Sequence, residues 1–452
     1  MKRFEASGLW YPLDEPANAV GGTLKFDGKG VQLVLLGSFR QSWSSQVEGY
    51  PIIHGVVGES PYGAFVTLID GLRTGQRFNV VGATSERITC NSALVGNCHL
   101  SAEPTRFDSV ELDFSYLTDW VGRSGMKVER RLPDGKTYVA TYQRPDNVSF
   151  TFGEQTLTLV HTFCASESAH ETILSEATRL FLRPVGDLTA ETLISPSIRT
   201  IQDLLSFATD RANGVEEIAY EADTSERGII PRLNLIYEPV FSLKEREDLL
   251  HPTDMLFTYA DSQAKGVDIF QSWYEFCRKH TAFCEVYFGH TYARPRYLDE
   301  RFAKVVAAFT LLCSTSFKRS EATARFLEAV EAALKAHFPE PEPEFLSHII
   351  PTWSEVEMPI HLLRLLEENS SLMGQVIEDF PALVRSVSDT LAFVQRRMRG
   401  VRPPLEADDL YYAVERINML IKIVVLKELG FDDSEVRLLV ERNRRMTYLK
   451  SV

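Results

Sequence analysis

Val110-Glu111-Leu112-Asp113-Phe114 alternates apolar and acidic side chains along its whole length. Successive side chains of a β-strand point to opposite faces, so this pattern predicts a strand with one buried and one polar face. Short apolar and β-branched runs recur up to about residue 190, at 33–36, 66–69, 138–142 and 156–160. Turn sequences such as Pro133-Asp134-Gly135 separate them. We therefore predict an antiparallel β module of the sandwich or barrel type.

The pattern between about residues 190 and 262 is mixed. Apolar residues recur at helical spacing over 197–208, which predicts a helix. Residues 217–220 and 233–237 resemble short strands. We assign this region to the end of the N-terminal module, so the first predicted domain covers residues 1–262.

From about Val267 onward the apolar residues are spaced as in helices. Apolar stripes lie at 302–312, 326–337 and 411–425, and each is typical of a helix that faces a bundle core. Gly430 is placed to end the last of these helices as its C′ residue. The alternating prolines and glutamates of 339–344 predict an extended spacer. The predicted fold class is α+β multidomain: an antiparallel β-rich N-terminal module followed by an all-α bundle over residues 263–452.

Composition limits the classes of function. The formal net charge is −14, which argues against general, salt-driven binding of nucleic acid but allows a local basic site. The six cysteines form no disulfide framework, which is typical of a reducing compartment. The first residues lack the apolar segment of a secretory signal, and no apolar run approaches the roughly 20 residues of a membrane span. We expect a cytoplasmic protein that does not span a membrane.

Two motifs resemble ligand sites and fail on their spacing. Gly135-Lys136-Thr137 resembles the end of a P-loop, but Arg130 stands where that motif needs a glycine. The other contains zinc-ligand residue types at a spacing that matches no standard site, interleaved with aromatic residues typical of a core: Cys277, His280, Cys284 and His290. We therefore expect no metal and no cofactor.

Two local arginine clusters stand out from the acidic chain. The first contains Arg385, Arg396, Arg397, Arg399 and Arg402, and the second contains Arg437, Arg442, Arg444, Arg445 and Lys450. Each stretch holds a single acidic residue, Asp389 in the first and Glu441 in the second. One interpretation is solvated helix ends whose cations lie near the negative end of the helix dipole. The alternative is a phosphate-binding surface, because guanidinium groups match phosphate oxygens.

A series of segments in the first 120 residues carries a family resemblance. It begins with Phe4-Glu5-Ala6-Ser7-Gly8-Leu9-Trp10-Tyr11-Pro12 and Gly22-Thr23-Leu24-Lys25-Phe26, and continues at 33–39, 53–55, 66–68, 94–96 and 107–120. In this order the segments resemble the first N-terminal domain of ApeA, a family of HEPN-containing bacterial proteins of abortive infection. The resemblance implies a role in defence against phage.

The C-terminal half looks like the matching HEPN bundle. Arg325-Phe326-Leu327, with His337 later on the same predicted helix, resembles an early HEPN helix, and Leu426-Lys427-Glu428-Leu429-Gly430 resembles the closing one. The resemblance implies dimerisation through the bundle. It also implies metal-independent RNA cleavage by an R-N-x-x-x-H motif, in which histidine transfers protons and arginine holds the phosphate.

The matching positions lack this chemistry. Leu391, Ala392 and Arg396 occupy the places of the arginine, the asparagine and the histidine. Leucine and alanine cannot bind phosphate, and a guanidinium with a pKa above about 12 cannot act as a base near neutral pH. Arg442-Asn443 begins a second match, but Thr447 stands in the histidine place.

We interpret the chain as an ApeA-like defence protein with a degenerate ribonuclease motif. The N-terminal module is expected to sense a phage component or protein trigger, and the bundle to form a homo-oligomer. Three arginines are expected to bind RNA or a partner: Arg396, Arg397 and Arg399. The alternative is an active ribonuclease with a substituted site, in which His337 carries the proton and Arg396, Arg397 or Arg442 holds the phosphate. A plain binding module that shares only the fold is the third option.

Overall fold

The computed structural model describes two compact units. It covers residues 3–316 and 407–450, with gaps at 29, 40–48, 59, 61, 78–83, 101–104, 130–138, 169, 189–192, 223–230, 240, 242–248, 265, 267 and 294–296. The first unit comprises residues 1–250 and 258–271, and the second comprises 251–257 and 272–452. The first is β-rich and antiparallel and the second is helical, so the predicted fold class is confirmed.

The first unit begins with a closed β-barrel. Its strands are β1 (Phe4–Pro12), β2 (Val20–Phe26), β3 (Val31–Leu35), β4 (Gly49–Val57), β5 (Phe65–Arg77) and β6 (Ser85–Cys90). All neighbours are antiparallel in the order β5-β4-β1-β2-β3-β6, and a β5–β6 pairing closes the ring. The interior is filled by apolar side chains that alternate along the strands, among them Trp10, Leu24, Leu33, Ile53, Leu68 and Ile88.

One carboxylate lies inside this barrel with its hydrogen bonds satisfied. Glu86 of β6 is fully buried. It accepts hydrogen bonds from the Ser38 hydroxyl at 2.8 Å, the Phe39 backbone N–H at 3.2 Å and the Tyr50 hydroxyl at 3.3 Å. Because a buried polar group without partners is costly, these donors make the site tolerable and tie the segment after β3 to the barrel.

The sheet continues beyond the barrel through β7 (Ser92–Gly96). The strands of this extension are β9 (Ser109–Phe114), β12 (Val148–Phe152), β13 (Gln155–Glu167), β14 (Thr172–Arg183), β16 (Val215–Glu221) and β17 (Arg232–Tyr237). Their order in the sheet is β7-β17-β16-β9-β14-β13-β12. Two small ribbons pair β8 (Thr105–Phe107) with β15 (Gly186–Leu188), and β10 (Met126–Glu129) with β11 (Val139–Tyr142). The predicted strands at 110–114, 156–160, 217–220 and 233–237 are confirmed.

Strand β5 joins the barrel to this extension by changing its partner. Residues 65–69 pair with β7, whereas residues 72–77 pair with β6. Asp70 lies between the two pairings with φ of 51°, a left-handed conformation that is uncommon for a residue with a side chain. Asn91, at the corner between β6 and β7, donates from its backbone N–H to the Ile69 carbonyl and from Nδ2 to Asp70 Oδ2, both at 3.1 Å. We call this corner the branch point.

Helices bury one face of the extended sheet. They are α1 (Leu117–Val121), α2 (Pro196–Ala208) and α3 (Tyr259–Ala264). Trp120 of α1 is fully buried and makes edge contacts with Tyr259 and Phe270, and Phe150 of β12 packs on the same two rings. The predicted helix over 197–208 is confirmed as α2, which begins at the N-cap Ser195 with Pro196 in its first turn.

All regular secondary structure in the described part of the second unit is helical. The unit contains a short 3₁₀ helix (Pro252–Asp254) and most of α4 (Ile269–Lys279), whose first residues belong to the first unit. The helices that follow are α5 (Thr281–Ala293), α6 (Leu298–Ser316), α7 (Ala407–Glu428), α8 (Asp433–Arg442) and α9 (Arg444–Lys450). The predicted apolar stripes of α6 and α7 are buried, including Phe309 and Ile417. Among the described helices, none is long and apolar enough to cross a membrane.

Gly430 ends α7 as the sequence predicts. Its φ is 96°, its N–H donates to the Lys427 carbonyl at 3.0 Å, and the Phe431 N–H donates to the Leu426 carbonyl at 3.1 Å. This pair of bonds is the Schellman motif, which satisfies carbonyls at a helix end. Asp432 then caps α8 with a capping box, its side chain accepting from the Glu435 N–H.

The packing around Trp10 provides a test of the barrel core. Trp10 is fully buried, and a Cβ atom added at Gly55 would lie 2.3 Å from its ring. We expect Gly55→Ala to destabilise the first unit by about 1–3 kcal/mol, because the indole must move within a packed interior. Urea unfolding followed by intrinsic fluorescence measures the effect. Gly21→Ala is the matched control, since a Cβ there meets nothing within 4 Å. Equal stability of the two variants would contradict this packing.

Candidate functional site

A cluster of charged side chains lies on the other face of the extended sheet. Four neighbouring strands supply Glu111 and Asp113 (β9), Arg179 (β14), Glu217 and Glu221 (β16), and Arg232 (β17). The alternation in β9 directs Val110 and Leu112 to the opposite, buried face. Strand pairing then sets Glu217 directly opposite Asp113, and Arg232 directly opposite Glu221. We call these six residues the charged cluster.

The two arginines of the charged cluster share their carboxylates. Arg179 Nη1 lies 3.0 Å from Glu217, 3.3 Å from Asp113 and 3.9 Å from Glu111. Arg232 Nη2 lies 2.8 Å from Glu111 and 3.7 Å from Glu217, and its Nη1 donates to Glu221. Glu111 and Glu217 therefore contact both guanidinium groups. Removing either arginine would leave like charges facing each other on a partly buried surface.

Asp113 is held in an environment that favours its neutral form. Its side chain is 23% exposed. Burial raises the pKa of this carboxyl to about 6, and Glu216 and Glu217 act in the same direction, while Arg179 acts against them. The cluster can thus take up a proton in mildly acidic solution. Tyr62 packs against the barrel core, and burial raises the pKa of its phenol, with a smaller contribution in the same direction from the charge of Glu217.

This arrangement is suited to recognition. Four carboxylates face two guanidinium groups, so with every member ionised the cluster carries a net charge of −2. A half-buried excess of negative charge favours cationic or hydrogen-bond-donating partners and protonation. Clusters of this kind also occur as structural ion-pair networks, and the mutual pairing of all six residues is consistent with a structural contribution.

Most of the predicted site residues lie outside the described part of the chain. These are His337, Leu391, Ala392, Arg396, Arg397 and Arg399. Their expected roles, including the degenerate motif and the binding of RNA, stay predictions. The predicted spacer at 339–344 and the Gly135-Lys136-Thr137 turn also lie there.

Arg442 lies within the described part, at the last turn of α8. The residue that follows it has a structural role: Asn443 is 1% exposed, donates from Nδ2 to the Met255 carbonyl and accepts from the Met446 N–H, both at 3.0 Å. Thr447 donates its hydroxyl to the Glu441 carbonyl at 3.0 Å. In the described structure, the Arg442-Asn443 pair therefore belongs to the junction between α8 and α9.

Other arginines of the second cluster have acidic partners, and one of these partners lies elsewhere in the chain. Arg445 Nη2 lies 2.6 Å from Glu415 of α7, and the same carboxylate, 2% exposed, also binds Arg301 of α6 at 2.6 Å. Arg437 pairs with Glu441 at 2.9 Å. Within the stretch that holds these arginines, Glu441 is the single acidic residue. The structure adds an acidic partner from α7, so more of their charge is neutralised than the local sequence indicates.

The cysteines and histidines of α4 and α5 lie in an aromatic setting. Cys284 Sγ lies 3.6 Å from Cys277 Sγ, and His280 Nδ1 hydrogen-bonds the Thr315 hydroxyl. The His280 ring packs 4.6 Å from that of Phe276. Burial, with Arg301 and Lys304, lowers the pKa of His290 to about 4. Within the described residues, no group of three or more histidine, cysteine, aspartate or glutamate side chains is placed to hold a metal ion.

Comparison with known proteins identifies the class. A closed antiparallel barrel that continues into a helix-covered sheet, followed by helices, defines a two-unit α+β protein. The family model for ApeA N-terminal domain 1 matches residues 5–273, and the chain belongs to this family. This domain indicates an anti-phage defence protein. No curated protein and no solved structure matches the chain.

The raised pKa of Asp113 gives a testable pH dependence. The folded protein holds this proton up to about pH 6, whereas an unfolded aspartate releases it near pH 4, so its contribution to stability falls as pH rises between these values. Asp113→Asn mimics the neutral form. The free energy of unfolding of this variant, minus that of the wild type, should therefore increase by up to about 2–3 kcal/mol from pH 4 to pH 7.

Unfolding free energies measured across this pH range check the expectation. Ser149→Ala is the control, because Ser149 has no titratable group and its hydroxyl pairs with Thr158 on an exposed part of the sheet. A pH profile for Asp113→Asn that runs parallel to the wild-type profile would show that Asp113 is not the proton acceptor.

Proposed function

We propose that this protein is an anti-phage defence protein whose β-rich unit recognises a trigger. In this proposal the helical region mediates self-association and binds RNA or a protein partner, without the standard HEPN ribonuclease chemistry. The observation that carries the proposal is the family match over residues 5–273, which covers almost all of the β-rich unit. A fold does not define a reaction by itself, so the role of each unit depends on the side chains that it presents.

The β-rich unit supports a recognition role through its surface. It presents the charged cluster on one sheet face, built on strands rather than on loops. A rigid sheet holds such groups in fixed geometry, so a ligand does not have to order them when it binds. Each of its four carboxylates is paired with a guanidinium group, which fits binding better than nucleophilic catalysis.

The absence of standard nuclease chemistry is proposed from the sequence. Leu391 and Ala392 offer neither a cation nor a hydrogen-bonding group to a phosphate, and Arg396 keeps its proton near neutral pH. The rival proposal is a ribonuclease with a substituted site, combining His337 with Arg396, Arg397 or Arg442. The sequence Arg442-Asn443 matches the start of the ribonuclease motif and so favours the rival proposal. The buried Asn443 side chain, however, is used in hydrogen bonds to Met255 and Met446, which argues against a catalytic motif at this position.

Two assays on the full chain distinguish these proposals. Expression in a susceptible bacterium should lower the plating efficiency of at least one phage, and the purified protein incubated with total tRNA should leave the RNA intact. Arg396→Ala should then weaken RNA or partner binding without changing RNA integrity, because the arginine acts by charge alone. Arg416→Ala is a matched control, since it removes one arginine outside both clusters.

Cleavage of tRNA that disappears in Arg396→Ala would overturn the proposal in favour of the active ribonuclease. If expression gives no protection from phage and causes no toxicity, the defence role is overturned. That result would favour the plain binding module.

A further inference from the structure

A cavity of about 800 Å³ lies at the branch point of the first unit. Ile69 and Asp70 of β5, with Asn91 at the β6–β7 corner, form one side of it, and Leu235 and Tyr237 of β17 form another. A strand that changes partners leaves a wedge between the two sheets that diverge from it, so the cavity follows from the topology of β5. Its volume is within the range of small-molecule sites.

The described residues that line this cavity carry charge of one sign. Three of the described residues that line it are acidic, Asp27, Asp70 and Glu238, and none is basic. They come from the β2–β3 turn, from the middle of β5 and from the end of β17, so they enter from separate parts of the fold. All three residues are exposed, and carboxylates around a concave space create a negative potential there, which attracts cations.

These carboxylates do not form a metal site. In the part of the chain that the structure describes, no three of them, with or without histidine or cysteine, come close enough to share one ion. A divalent cation needs several oxygens at 2.0–2.6 Å from a single point. Carboxylates spread around a cavity instead suit an extended molecule that carries its positive charges apart from one another.

The rest of the lining adds apolar surface and hydroxyl groups. Ile69, Leu193 and Leu235 are buried apolar residues on the cavity wall. Ser92 also lines it, is 7% exposed and adds a hydroxyl group to the wall. The lining thus matches aliphatic carbon as well as positive charge.

We infer that the branch-point cavity binds an extended organic cation, in which amine or guanidinium groups are joined by aliphatic carbon. Two sources share this chemistry: a free polyamine, and the lysine or arginine side chains of a basic polypeptide. The inference goes beyond the proposed function and does not depend on it, since binding is measured without phage or RNA.

The test is calorimetric titration of the full chain with spermidine and, separately, with a short lysine-rich peptide of equal charge. At least one should bind with a stoichiometry of one per chain. Asp70→Asn and Glu238→Gln should each weaken binding about tenfold, because each removes one carboxylate from the cavity. Asparagine also tolerates the left-handed conformation of position 70. Tighter binding of spermidine identifies the polyamine source, and tighter binding of the peptide the polypeptide source.

Glu285→Gln is the matched control, since it removes one exposed carboxylate of α5 from the acidic chain and should leave the affinity unchanged. Circular dichroism verifies that each variant is folded. The inference fails if neither probe binds, if the cavity variants bind as tightly as Glu285→Gln, or if Mg²⁺ alone displaces the probes at equal concentration, which would indicate a metal site.

Discussion

The hydrogen bonds along one edge of β5 determine the architecture of the β-rich unit. Residues 65–69 hold β7 and residues 72–77 hold β6, so a single strand closes the barrel and also starts the second sheet. Asp70 makes the change of partner possible through its left-handed backbone, and Asn91 secures the corner opposite it. Both the barrel interior and the branch-point cavity depend on this division of one strand between two partners.

The same topology explains why charge accumulates on one sheet face. Beyond β7, the helices bury one side of the extension, and the side chains on the other side alternate with that core along each strand. Four adjacent strands carry acids or arginines there, and side-by-side pairing brings them within ion-pair distance. The charged cluster can stabilise the sheet and still offer a surface for recognition. A network that only neutralises charge does not require a carboxyl with a raised pKa, so the raised pKa of Asp113 favours the recognition role.

Local patterns allowed much of the fold to be predicted. The alternation of 110–114, the helical stripes of α2, α6 and α7, and Gly430 as a helix terminator were all identified from the sequence and are confirmed. Each depends on neighbours within a few residues, where strand and helix periods act directly. The strand at 33–36 is β3, and the residues of 138–142 that are described form β11.

The sites depend on contacts that are distant in sequence, so they were harder to predict. Arg179 and Arg232 meet Glu111 only because β14 and β17 lie on either side of the β9–β16 pair, and no local pattern reports that strand order. The partner change at Asp70 is equally non-local. Counterions for the C-terminal arginines come from Glu415 and Asp254, far from them in the chain. The predicted nuclease positions depend on family resemblance alone.

Barrel closure is measured most directly by amide hydrogen exchange within β5. Gly75, Gln76 and Arg77 pair with β6, and among the described strands no other pairs with them. We expect protection of the amides of 75–77 that face β6, and of those of 66–69 that face β4 or β7. Free exchange at 75–77 beside protected residues at 66–69 would mean that β5 does not hold two partners, and would contradict the account.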